Sequence, residues 1–127
     1  MKEPIWISLS TLHLLHDRQL ELFGGLRGIR DEGSVESALT RPVNAWVYGE
    51  ATEVEALAAT YLCALVRQQG YLDGNKRTAL AAMLVFLRLN GRRLIAAGPE
   101  LYAIVMAAAT GEIGVDKVAE WLKAKVE

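Results

Sequence analysis

The run Gly70-Tyr71-Leu72-Asp73-Gly74-Asn75-Lys76-Arg77-Thr78 holds the residues of this chain most suited to chemistry. Their types and order describe a phosphate cradle at the start of a helix. Gly74 permits a tight turn and close approach of backbone to a ligand. Asn75 tolerates unusual backbone angles and suits a helix cap. From Thr78 onward Leu80, Met83, Leu84 and Leu87 recur at helical spacing. A helix N-terminus offers free N–H groups and partial positive charge, which attract anions. Lys76 and Arg77 add full positive charge there, and a guanidinium can bind phosphate through two parallel hydrogen bonds. Asp73 supplies a carboxylate suited to Mg²⁺ carried on a nucleotide.

The elements that must position this run read as helices almost throughout. Ile5-Trp6-Ile7 is a short extended start. Ser8 or Ser10 caps a first helix that carries Leu9, Leu12, Leu15, Leu20 and Phe23 near one face and stops at Gly24-Gly25. Leu26 to Gly33 reads as a loop. Ser34 to Thr40 forms a short helix that Pro42 ends, because the residue before proline disfavours helix. Val43 to Ala51 is irregular. Thr52 and Glu55 form a capping box for a helix that buries Val54, Leu57, Ala58, Tyr61, Leu62 and Leu65 and ends near Gln69-Gly70. The motif helix runs from Asn75 to Asn90, with Gly91 just past its end. Pro99 opens the next helix, which reaches Thr110, and Val115 to Lys125 is the last. The pattern predicts one all-α domain over residues 1–127, a compact bundle of about six helices.

Composition narrows the function classes. Of 127 residues, 52% are hydrophobic, enough for a packed core, and the net charge is −1. A chain so nearly neutral carries no broad electrostatic footprint for nucleic acid or an anionic membrane. Cys63 is the single cysteine, which excludes an internal disulfide. It lies on an apolar helix face and reads as a core residue rather than a nucleophile. No apolar run has transmembrane length and no secretory leader is evident at Met1 to Leu9, so the expected location is the cytoplasm.

The motif run resembles the signature of the Fic/Doc family, and of its Doc (death-on-curing) branch in particular. The Fic signature reads His-x-Phe-x-Asp/Glu-Gly/Ala-Asn-x-x-Arg, and the Doc-like branch closes it as Asn-Lys-Arg. Asp73, Gly74, Asn75, Lys76 and Arg77 match the Doc ending in order. Tyr71 stands where the motif has Phe, and Gln69 where it has His. Leu15-His16-Asp17, Phe23-Gly24-Gly25-Leu26, Thr60-Tyr61-Leu62, Phe86 to Gly91 and Ala109 to Ile113 are similar to Doc segments at matching spacing, so the resemblance covers nearly the whole chain.

The resemblance implies a toxin of a toxin–antitoxin pair with the Fic/Doc fold, whose active-site flap falls in the Val43–Ala51 region. The implied reaction is transfer of the ATP γ-phosphoryl group, with Mg²⁺, to a hydroxyl of elongation factor Tu, which arrests translation. The implied partner is a Phd-like antitoxin whose disordered segment folds onto an apolar groove, expected near the first helix and Trp46–Tyr48. Asp73 would hold Mg²⁺ or orient the hydroxyl. Gly74 and Asn75 would offer donors to phosphate oxygens, and Lys76 and Arg77 would neutralise charge. Gln69 occupies the place of the general base, and a carboxamide cannot take the proton that imidazole takes. Arg67 could reach the phosphates or serve its helix C-terminus. His13 and His16 suit structural roles better than a metal pair, and for His16 a buried, hydrogen-bonded role is preferred. The alternatives are a Fic-type AMP transferase and a catalytically dead module that binds nucleotide or antitoxin.

Overall fold

The computed structural model describes residues 2–127. Six helices follow one another: α1 Leu9–Phe23, α2 Glu32–Val47, α3 Val54–Arg67, α4 Asn75–Leu89, α5 Gly98–Thr110 and α6 Val115–Lys125. Among the described residues there are only two isolated β-bridges, Ile29 with Tyr71 and Leu94 with Val126. The all-α bundle of the sequence reading is observed. Among the described residues no helix is long and apolar enough to cross a membrane.

α3 is the hub, packed against α2, α4, α5 and α6. Eleven of its fourteen residues are buried, so it is covered on every side rather than along one stripe. Ala58, Ala59 and Cys63 keep the surrounding helices close. Phe86 of α4 fills the junction, 4.8 Å from the Tyr61 ring and 5.9 Å from Trp6. The thiol of Cys63 is buried and its pKa pushed up by that burial, which makes it a poor nucleophile.

Two local expectations fail. Pro42 does not end α2, which continues to Val47 with Pro42 buried inside it. The helix also starts earlier, at Glu32, because Asp31 caps it by accepting the Ser34 N–H at 3.2 Å. Packing of Val35, Ala38, Leu39, Pro42 and Ala45 on the core outweighs the missing proline donor. The Thr52–Glu55 capping box is also absent. Glu53 is the cap residue and makes no side-chain capping bond. Glu55 is 6% exposed and accepts from Arg92 Nε at 2.7 Å, so its carboxylate is turned inward.

The short extended segment beside the motif loop is not at Val43–Ala51. It lies between α1 and α2, where Leu72 N–H donates to Gly28 O at 3.1 Å, and Arg30 and Asp31 N–H both donate to Gly70 O. The Ile29–Tyr71 bridge belongs to this crossing.

Candidate active site

The loop from Gln68 to Gly74 is held by its own polar groups. The Gln68 side chain donates to Leu65 O at 3.0 Å and to Asn75 Oδ1 at 3.2 Å, and its oxygen accepts the Gly70 N–H. Asn75 donates to Tyr71 O at 2.9 Å and accepts the Tyr71 N–H at 3.2 Å. The Asn75 amide therefore closes the loop instead of projecting at a ligand, and the α4 cap residue is Gly74, at φ 77°.

Beneath the loop, the Tyr71 ring is 1% exposed and stacks on His16 with centroids 3.7 Å apart. Its hydroxyl pairs with His13 Nδ1 at 2.8 Å, and His13 Nε2 pairs with Glu32 Oε1 at 2.9 Å. Burial, together with the carboxylates of Asp17 and Glu32, pushes the Tyr71 phenol up, so it stays protonated. His16 is buried, and its Nε2 donates to Asp73 O at 2.8 Å, as the preference for a buried role anticipates. No group of three metal-ligating side chains occurs among the described residues.

Asp73 Oδ2 accepts the Leu26 N–H at 3.1 Å and Oδ1 accepts the Gly74 N–H at 2.8 Å. These two bonds, then the charges of Arg77 and His16, hold its carboxyl below the usual 3.8. Gly25 makes this approach possible. Its φ is 126°, and a Cβ there would sit 2.7 Å from Asp73 Oδ2.

The N–H groups of Asn75, Lys76 and Arg77 open α4 and have no intrahelical acceptor. The first turn carries no acidic residue, and the nearest carboxylate is that of Asp73, bonded to the N–H of the Gly74 cap. Lys76 is exposed and forms no ion pair among the described residues. Arg77 donates to Gly24 O at 3.2 Å and lies 5.4 Å over the Phe23 ring, which ties α4 to the end of α1.

Gln69, Asp73, Gly74, Asn75, Lys76 and Arg77 come together on one cleft of about 830 Å³ between α1, α4 and α5. The motif donors share its lining with the apolar side chains of Phe23, Leu84, Leu101 and Tyr102. Such a cleft suits a ligand with a polyanionic end and an apolar body. Arg67 is not brought to it. Its guanidinium donates to Ala108 O at 3.2 Å and Ile113 O at 3.0 Å, which directs it to the α5–α6 turn. Neither Trp46 nor Tyr48 lines this cleft. Trp46 packs edge-on against Trp6 at 6.2 Å.

Sequence reasoning missed Gln68, Gly25 and the partners of the Tyr71 hydroxyl. The pair Gly24-Gly25 was legible as a stop signal, but its contact with Asp73 spans nearly fifty residues. Tyr in place of the motif's Phe was the one available signal for a buried hydroxyl in need of a partner.

A sequence model of the Fic/DOC family matches residues 6–87. Over 117 residues the chain is 42% identical to the protein named Protein kinase doc from Escherichia phage P1, covering 92% of each chain. Over 80 residues it is 44% identical to the protein named Toxin Doc from Mycolicibacterium smegmatis, covering 58% of each.

Proposed function

The chain belongs to the Fic/DOC family, and on that premise we propose that it is a Doc-like toxin built as a protein kinase. The observation that carries the reading is the convergence of six motif residues on one cleft at the N-terminus of α4. The substrate is ATP, with its phosphates against the N–H groups of Asn75 to Arg77 and the Lys76 ammonium. The acceptor is a hydroxyl of elongation factor Tu, and the consequence is arrested translation in the cytoplasm. A Phd-like antitoxin is the partner that restrains it.

In the transfer, the acceptor oxygen bonds to the γ-phosphorus, the bond to the β–γ bridging oxygen breaks, and ADP leaves. Such transfers need mostly positioning and charge stabilisation. Lys76 and Arg77 supply charge where negative charge gathers. Asp73 fits Mg²⁺, since it lines the cleft and each of its oxygens accepts one backbone bond and retains a lone pair. Mg²⁺ bound there would screen the phosphoryl oxygens.

The acceptor hydroxyl must also lose its proton. Gln69 is exposed at the cleft and can accept a hydrogen bond, but it cannot hold that proton. The chain is thus a weakened or inactive kinase. This same residue favours the second reading, a module that binds nucleotide or antitoxin without turnover.

Mass spectrometry of elongation factor Tu incubated with ATP and the Gln69→His variant tests the reaction class. A gain of one phosphate supports the kinase. A gain of AMP assigns the Fic-type transfer, and an unmodified target favours the binding module. Co-purification with the product of the adjacent gene tests the antitoxin.

A further inference from the structure

A second cleft, of about 740 Å³, lies between α2, α3 and the start of α6, and the motif residues Asp73 to Arg77 take no part in it. Arg41 of α2 and Arg67 of α3 line it together. Ser34 and Ser37, on the first two turns of α2, add hydroxyls on the same wall. Arg41 has no hydrogen-bond or ion-pair partner among the described residues. Arg67, which lines the cleft, is held in place by two of its nitrogens on the carbonyls of Ala108 and Ile113 at the α5–α6 turn. The only carboxylate lining the cleft, Asp31, is already bonded to the Ser34 N–H and hydroxyl, which keeps its own pKa low.

We propose that this cleft binds a phosphate-bearing small molecule, and that its occupancy is felt at the motif loop. The Arg41 guanidinium, the remaining N–H groups of Arg67 and the Ser37 hydroxyl are donors that Asp31, already bonded to Ser34, does not take up, whereas a phosphate has oxygens enough for them. The space exceeds what a bare phosphate needs, so it has room for a ligand that carries a further body.

The route to the loop is Gln68. It lines this cleft, and the same amide holds Asn75 Oδ1 and the Gly70 N–H. Asp31, also on the cleft, donates its backbone N–H to Gly70 O at 3.0 Å. A ligand that draws on Gln68 or Asp31 must alter the bonds that set the loop. The inference concerns binding alone, so it stands or falls apart from the kinase reading.

The test is a titration of the whole chain with inorganic phosphate, followed by amide NMR, with acetate as a parallel arm. The expected result is saturable shifts at Ser34, Ser37 and the Gln68 side chain, with Asn75 moving in step. Arg41→Gln should weaken this binding by about tenfold or more, the ordinary loss for one charge-assisted bond. Lys76→Ala should leave the Ser34 and Ser37 shifts intact, since Lys76 is on the other cleft. Gln68→Met should retain the Ser34 shifts while the Asn75 response disappears. Arg41 is exposed, so Arg41→Gln should keep the fold, and an unchanged thermal midpoint checks this. Phosphate shifts confined to Gly74–Arg77 would overturn the proposal. So would equal binding by wild type and Arg41→Gln, or an acetate response matching that of phosphate.

Discussion

Asp73 shows how much one side chain is asked to do. Its two backbone bonds anchor Leu26 and Gly74, and they lower its pKa because only the carboxylate accepts both. A depressed carboxyl stabilises the fold above its unfolded value of 3.8, and that contribution is lost as pH falls through the lower folded value. The Leu26 and Gly74 amides should therefore lose exchange protection together as pH drops below 3.8. Protection unchanged down to pH 2 would contradict the assignment. Tyr71 gives a second residue-scale test. Removing its hydroxyl in Tyr71→Phe leaves His13 Nδ1 without its partner and should cost about 1 kcal/mol by denaturant titration. A more stable variant would mean that the Tyr71–His13–Glu32 line strains the loop. At this scale the sequence was legible where residue type alone decides, as at Gly74, Lys76 and the inert Cys63. Asn75 was misread because its amide can face a ligand or its own loop, and only the position of Tyr71 decides between them.

Elements were legible where their ends are set locally. Ser8 accepts from Thr11 N–H at 3.2 Å as an N-cap should, and α6 spans the residues its apolar spacing predicts. Errors arose where a distant partner intervenes. Glu55 left its expected box for Arg92, 37 residues away in sequence, and the apolar face of α2 carried the helix past Pro42. The crossing of the motif loop over the start of α2 is another long-range feature with no local signal. Gly70 sits there, and a Cβ on it would collide with the Val35 side chain and lie 2.7 Å from Asp31 O. Val35 is fully buried and Asp31 O is backbone, so neither can yield readily. Gly70→Ala should destabilise the protein by about 1–3 kcal/mol, the usual cost of overpacking. It should also broaden the Ile29 and Tyr71 amide signals. A variant as stable as wild type would show that the crossing is loose.

The molecule as a whole is a bundle built around α3, with the motif cleft at the joint of α1, α4 and α5. Its apolar content and helical periods made that architecture legible, but the α1–α2 segment that braces the loop was not. Phe86 couples the core to the motif helix, since it is fully buried beside Tyr61 and Trp6 on α4 itself. Phe86→Ala should cost about 3–5 kcal/mol in thermal or denaturant unfolding. A loss below 1 kcal/mol would mean that the core there is poorly packed.

On the proposed function, this molecule is a Doc-type kinase scaffold in which Gln69 stands in place of the base. The most direct test incubates the chain and its Gln69→His variant with γ-labelled ATP and elongation factor Tu, and compares initial rates. The histidine should raise label transfer by about 10²–10⁴-fold, the usual worth of a general base. Equal rates for the two proteins, or no transfer by either, would contradict it.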